Sequence, residues 1–380
     1  MYANREREVC ALKSVGAFFR REPVLVISAL AAVLSMLAVP PSAAYIEYID
    51  LRVLCLLFCL MAVVDGLKGC GLFAVLAQRL LTGRGSLRRV SMILVLLPFF
   101  TSMLVTNDVS LITFVPFAVL ILNAIGRTDR LIPIVALQTV AANLGSMATP
   151  VGNPQNLFIY AKYSLGAGEF FGAVLPVAGL SLVLLVAAVA FGPKDGIEVN
   201  FGEKAEITHK KRLALCVLLF IVCLLAVMRV VHYGLVTGLV FLTLLVADRA
   251  ALKQVDYCLL LTFVFFFVFA GNIGNIPAVN DALTGMLSGS TFFTSLLASQ
   301  VISNVPAAVL LGSFTEDWRG LLLGTDVGGL GTLIASLASL ISFKLYCAVP
   351  GARAGKYLAW FTIANLAALA VLVPLSLLLL

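Results

Sequence analysis

Thr106-Asn107-Asp108-Val109-Ser110 interrupts a chain that is apolar on both sides, from Met92 to Val105 and again from Leu111 to Leu122. Apolar, polar, apolar over this length reads as a helical hairpin whose tip lies inside a membrane. Lipid tolerates an unwound backbone and a carboxylate only where protein or a water-filled cavity surrounds them. A second polar break, Asn143 to Asn156 (NLGSMATPVGNPQN), holds Gly145, Pro150, Gly152 and Pro154. No regular helix continues through that spacing, so it predicts a discontinuous helix. A hairpin tip facing a broken helix is how secondary transporters build a mid-membrane site from helix ends and free backbone groups.

Composition fixes the class around that pair. The 380 residues are 61% hydrophobic and 12% charged, with a mean hydropathy of +1.08. Soluble domains are nearer half apolar and a quarter charged. The expected fold is an all-α polytopic membrane protein. The net charge of +7 does not point to nucleic acid, because Lys and Arg cluster in short loops, as they do on the cytoplasmic side of membrane proteins. Eight cysteines lie scattered, mostly in apolar runs, with no CxxC, and read as small buried hydrophobes.

In chain order, residues 1–23 form a basic cytoplasmic tail, and the apolar run that follows is too long and too far from the start for a signal peptide. Residues 24–192 make a first membrane repeat, with a hairpin at about 90–124 and a broken helix over 131–163. Residues 193–212 are a solvated cytoplasmic linker and 213–231 a connecting helix. Residues 234–380 make a second repeat, with a hairpin at about 291–315 broken at Ser303-Asn304-Val305-Pro306, and a broken helix over 320–346. Basic loops at 83–89 and 127–130 put the open end of the first hairpin inside. One odd connecting helix then inverts the second half. Aligning Asn143 with Asp326 pairs Gly145 with Gly328, Thr149 with Thr332, Asn153 with Ser336 and Asn156 with Ser339, while the tips pair Asn107 with Asn304. That common order predicts an inverted-topology repeat. The expectation is nine full spans and two re-entrant hairpins in the inner or plasma membrane.

TNDVSLITFVPFAVLIL, NLGSMATPVGNPQNLFIY, ISNVPAAVLL and TDVGGLGTLIASLASLISFK resemble the paired signatures of the ion transporter superfamily, and within it the ArsB/NhaD permease group of citrate-transporter-like and anion permeases. The resemblance implies an elevator-type secondary transporter, often dimeric, distantly related to divalent anion:sodium symporters. Those relatives carry Ser-Asn-Thr at each tip; here the first tip has Thr106-Asn107-Asp108 and the second Ser303-Asn304-Val305. An Asn-Asp tip is closer to the arsenite-permease branch.

The residues support two chemistries. Helix N-termini offer partial positive charge and free N–H groups to an anion, and Thr106, Asn107, Thr149, Asn156, Ser303, Asn304 and Ser339 are the expected substrate contacts. Cations want carboxylates, amide oxygens and carbonyls. Asp108, Asn143, Gly145, Asp326 and Gly328 are the expected positions for ion or proton coupling, with sodium at Asn107, Asn143 and Asp108 and no other cofactor. Asp65 and Lys68 read as an interfacial pair. Asn107, Asn304 and Asp108 also suit plain helix caps. No HExxH, Walker loop or Ser with an intramembrane His is present, which argues against an enzyme. The function expected is secondary active transport of a small anion, citrate- or dicarboxylate-like, driven by sodium or protons. The alternative is arsenite or antimonite efflux, or sodium/proton exchange, on the same fold. A channel would use the same parts.

Overall fold

The computed structural model describes residues 22–199 and 204–380. The expected tail therefore lies almost wholly outside the described residues, as do positions 200–203 of the linker. Helices α1 (Pro23–Ser35), α2 (Ala44–Tyr48), α3 (Leu51–Gly69) and α4 (Leu72–Leu81) lead into strand β1 (Gly83–Ser86). Helices α5 (Leu87–Ser102) and α6 (Asn107–Ala124) form the first hairpin, and α7 (Leu131–Ser146) and α8 (Pro154–Lys162) the first broken span. Next come α9 (Ala167–Ala190), β2 (Gly196–Val199), α10 (Lys210–Val227), α11 (Tyr233–Ala247), α12 (Arg249–Gln254), α13 (Tyr257–Gly274) and α14 (Pro277–Gly289). The second hairpin is α15 (Thr291–Ile302) with α16 (Asn304–Leu311), the second broken span α17 (Trp318–Gly328) with α18 (Leu337–Cys347), and α19 (Ala354–Leu379) ends the chain.

Side-chain caps start several of these helices. Asp50 accepts from Val53 N at 3.0 Å, Asp256 from Leu259 N at 2.8 Å and Asp317 from Gly320 N at 2.9 Å. Each such cap contributes about 1 kcal/mol. Gly71, at φ +78, permits the 54° bend between α3 and α4.

Helix α7 is the centre of the fold. It is buried on every side, as an apolar all-round helix must be. Its Gln138 Nε2 donates to Leu94 O at 2.8 Å and Phe114 O at 3.3 Å, pinning it to both arms of the first hairpin.

The described helices that alone are long and apolar enough to cross a membrane are α6, α9, α13 and α19, with the bent pair α3 and α4 a fifth candidate. Nine full spans were expected. The others fall short for two reasons: α1 and α11 have only 13 and 15 residues and α10 opens on Lys210-Lys211-Arg212, while two crossings are divided at polar residues into α7, α8, α17 and α18, each too short to span alone. Helices restart within the polar breaks themselves, at Asn107, Pro154 and Asn304.

The loop at 83–89 and the linker are likewise not free. Strands β1 and β2 pair antiparallel, Gly83 opposite Val199 and Ser86 opposite Gly196. Arg88 donates twice to Gly192 O, at 3.1 and 2.8 Å, and Arg127 reaches Asp195 at 2.5 Å and Asp129 at 3.1 Å. The hydrogen bond from Arg127, then the charges of Arg127 and Arg130, hold the Asp129 carboxyl below its ordinary value. Pairing satisfies backbone groups that a bare linker would leave to water.

Candidate functional site

Both hairpin tips use an asparagine in the same way. Asn107, the first residue of α6, accepts from Asp108 N through Oδ1 at 2.9 Å; Asn304, the first of α16, accepts from Val305 N at 3.0 Å. The first turn spans Met103 to Thr106, and Thr106 is half-buried with no capping bond. The second turn is a single residue, Ser303, at φ +72. A non-glycine residue held there is strained, and Ser303 is fixed by its N–H to Ser299 O at 3.0 Å and its hydroxyl to Ala335 O at 3.4 Å.

The breaks repeat a second set of bonds. Thr149 Oγ1 donates to Met103 O at 2.5 Å and accepts from Gly152 N at 3.1 Å. Thr332 Oγ1 donates to Gln300 O at 3.1 Å and accepts from Ala335 N at 3.2 Å. Glycines let the hairpin arms press close at Gly145, Gly324 and Gly328, and a Cβ at Gly324 would lie 2.6 Å from Phe292 O. A Cβ at Gly145 would run into the Phe99 backbone, and one at Gly328 would lie 3.0 Å from Leu296 Cα.

Asn143 joins these parts. Its Oδ1 accepts from Asn107 Nδ2 at 3.0 Å and Ser336 Oγ at 3.1 Å; its Nδ2 donates to Ser339 Oγ at 3.1 Å and Gly329 O at 3.4 Å. A Cβ at Gly329 would in turn sit 2.9 Å from Asn304 Nδ2. The chain of contacts Asn107, Asn143, Gly329, Asn304 thus links the two tips. The expected sodium donors Asn107 and Asn143 have all their amide atoms engaged by protein partners, and of that set only the Asp108 carboxylate has no protein hydrogen bond recorded.

Asp326 sits opposite the first broken span. Gln155 Nε2 donates to its Oδ1 at 3.4 Å, while Oδ2 has no partner. Asn156 donates to Met147 O at 3.2 Å and Thr149 O at 3.4 Å, closing the first break.

A cleft of about 560 Å³ runs to the first tip, where Thr106, Asp108 and Asn153 line it. Asp65, Lys68, Asp256 and Glu22 also line it. Sequence reasoning missed this role for Asp65, Lys68 and Asp256, because a charge near a helix end reads as an interfacial residue or a cap. It also missed Gln155, whose position against Asp326 depends on contact between distant parts of the chain. Of the expected substrate contacts only Thr106 lines the cleft; Asn107, Thr149, Asn156, Ser303, Asn304 and Ser339 do not.

Comparison with known proteins agrees with this architecture. The citrate transporter family, CitMHS, matches residues 15–317. The chain is 32% identical to an uncharacterized transporter of Methanocaldococcus jannaschii over 80% of this chain and 82% of the relative. It is 31% identical to the inner membrane protein YbiR of Escherichia coli over 78% of this chain and 80% of that protein. A shorter match, 32% identical over 43% of this chain and 35% of the relative, is to the silicon efflux transporter LSI3 of Oryza sativa subsp. japonica. The helical build, the apolar spans and these matches make it a multi-pass membrane transporter and not an enzyme, and the chain belongs to the citrate transporter family, CitMHS.

Proposed function

We propose that the protein is a secondary active transporter that moves a small oxygen-rich anion, citrate- or dicarboxylate-like, together with sodium or protons. The observation that carries this reading is the meeting of the first hairpin tip and the second helix break on Asn143, with the second tip tied to that break through Asn304 N and Ala335 O at 3.0 Å, near a cleft large enough for such a solute. Helices α6, α8, α16 and α18 begin at these breaks, and their N-termini favour negative charge. Asn107, Asn304, Thr149, Asn156, Ser303 and Ser339 are the groups that would orient the solute, with Thr106 at the cleft. The matched bonds of Asn107 with Asn304 and of Thr149 with Thr332 support two repeats of one unit, residues 24–192 and 234–380. An inverted arrangement with elevator movement, a homodimer, and an inner-membrane location with the N-terminus cytoplasmic complete the reading.

Among the described residues, Asp65, Asp108 and Asp256 bring three acids to the cleft and Lys68 one cation. A bare polyanion there meets repulsion of a few kcal/mol at roughly an effective dielectric of 20. The anion must therefore enter after a cation or proton has bound. The same acidity favours a second reading, efflux of a neutral hydroxide such as arsenite in exchange for protons, and the likeness to a silicon efflux transporter supports it. Uptake into proteoliposomes, with citrate, succinate and arsenite each tested under sodium and pH gradients, separates the two. Accumulation of a carboxylate on either gradient is the expected outcome; arsenite movement alone would select the second reading, and no gradient-driven accumulation of any solute would sink both.

A further inference from the structure

We propose that Asp326, with the side-chain oxygens of Gln155 and Asn156, forms a sodium site that bridges α17 and α8. It deepens the coupled-transport reading by naming a coupling ion and a binding place outside the Asn107–Asn143 junction.

Asp326 is 3% exposed and Gln155 and Asn156 are fully buried. Among the described residues no charged group opposes the carboxylate. Helix α17 packs against α7, α8, α9, α15, α16 and α19. Of these, α7, α15 and α16 contain no charged residue, and Lys162 of α8, Glu169 of α9 and Lys356 of α19 sit in terminal turns. Lys162 is seven residues past Gln155, roughly 10 Å along the helix, and Arg319, on α17 itself, is equally far from Asp326. Asp326 also lies in the last turn of α17, where the helix dipole is negative and disfavours a carboxylate. A buried carboxylate in this setting requires a positive partner.

The hydrogen bonds say which kind. Asp326 Oδ2, Gln155 Oε1, Asn156 Oδ1 and, at the edge of the cleft, Asn153 Oδ1 are buried acceptors without a partner. The donors of the same groups are in use: Asn156 Nδ2 on Met147 O and Thr149 O, Asn153 Nδ2 on Ser146 Oγ, Gln155 Nε2 on Asp326. The atoms of this cluster left without a partner are all acceptors. A proton on Asp326 would supply one donor to one neighbour; a cation draws several oxygens at once. The two ends of an amide are interchangeable by a half-turn. That turn at Gln155 would set its oxygen near Asp326 Oδ1, at the present 3.4 Å nitrogen–oxygen spacing. Roughly 3.4 Å separates two oxygens held at right angles on a cation with ligands about 2.4 Å away. Asn143, the position that aligns with Asp326, shows the contrast: an amide there leaves no orphaned atom. Asn153 lines the cleft, which gives a cation an acidic way in.

The test is equilibrium binding of radioactive sodium to the purified full-length protein in detergent, with potassium as competitor and gel filtration to follow folding. Saturable sodium binding that potassium does not displace is expected. Asp326→Asn and Gln155→Leu should each weaken it by roughly tenfold or more, about 1.4 kcal/mol. Gln155→Leu keeps the carboxylate and decides the matter should Asp326→Asn fail to fold. Wild-type protein that binds no sodium, or Gln155→Leu protein that binds it as the wild type does, overturns the site. If sodium does not bind but a pH gradient still drives uptake, the site falls and the transporter reading stands. If sodium binds here but no gradient moves any solute, the transporter reading falls and the site stands.

Discussion

Asn107 has two obligations at one position: its Oδ1 accepts from Asp108 N in the first turn of α6 and its Nδ2 donates to Asn143. Asn107→Ala removes both, at about 1 kcal/mol for the cap. We expect it to abolish transport while folded protein stays in the membrane. Asn304→Ala should do the same, and normal uptake by either variant would reduce that asparagine to a cap. Asp108 lines the cleft beside the tip. Asp108→Asn is nearly isosteric, so sodium- or pH-driven accumulation should disappear while expression and monodispersity are retained. Accumulation with unchanged ion dependence would make the carboxylate structural. Residues of this kind were legible because a polar side chain inside an apolar run needs a reason, and Asn107, Asn143, Asn304 and Asp326 all stand in such runs. Gln155 stands among other polar residues, in Asn153-Pro154-Gln155-Asn156, and only the packing of α8 on α17 distinguishes it.

At the scale of elements, hairpins and breaks were readable because proline, glycine and polar clusters forbid continuous helix, whereas boundaries were not. A helix restarts wherever its first N–H groups find an acceptor, and Asn107 and Asn304 supply one from their own side chains. The role of Gly145 is packing as much as position. Gly145→Ala must push α5 away from α7, at about 1–3 kcal/mol. A lower melting temperature in detergent is expected, whereas Gly168→Ala, which meets nothing within 4 Å, should leave it unchanged. The ribbon of β1 and β2 was illegible, since GRGS and GIEV are too short to show alternation. Arg127→Ala should leave the melting temperature nearly unchanged, because exposed ion pairs are screened, yet it should speed trypsin cleavage in the linker at Lys204 or Lys210. The Asp129 carboxyl sits below its ordinary value, so its share of this clasp is present at neutral pH and fades only as acid protonates it. Equal cleavage rates for wild type and variant would show that the clasp does not protect the linker.

For the whole molecule, the sites depend on contacts between residues far apart in the chain: Asn143 with Ser339, and Gln155 with Asp326. Neither half holds a complete junction alone, which is why aligning the halves found corresponding residues but not their partners. The ribbon adds a mechanical consequence. Strand β2 is fastened to the base of the first hairpin, and α10 begins at Lys210. The intervening chain can extend about 3.5 Å per residue, roughly 35 Å at full stretch. That length is a leash. It is moored part-way, because Ala205 N donates to Gln78 Oε1 of α4 at 2.6 Å, and a shift of the hairpin relative to the connecting helix would first have to part that bond. On the proposed elevator movement, progressive deletion within 204–208 should lower turnover abruptly at the length where the leash draws taut, and turnover that falls evenly with each residue removed would show that the linker sets no such limit.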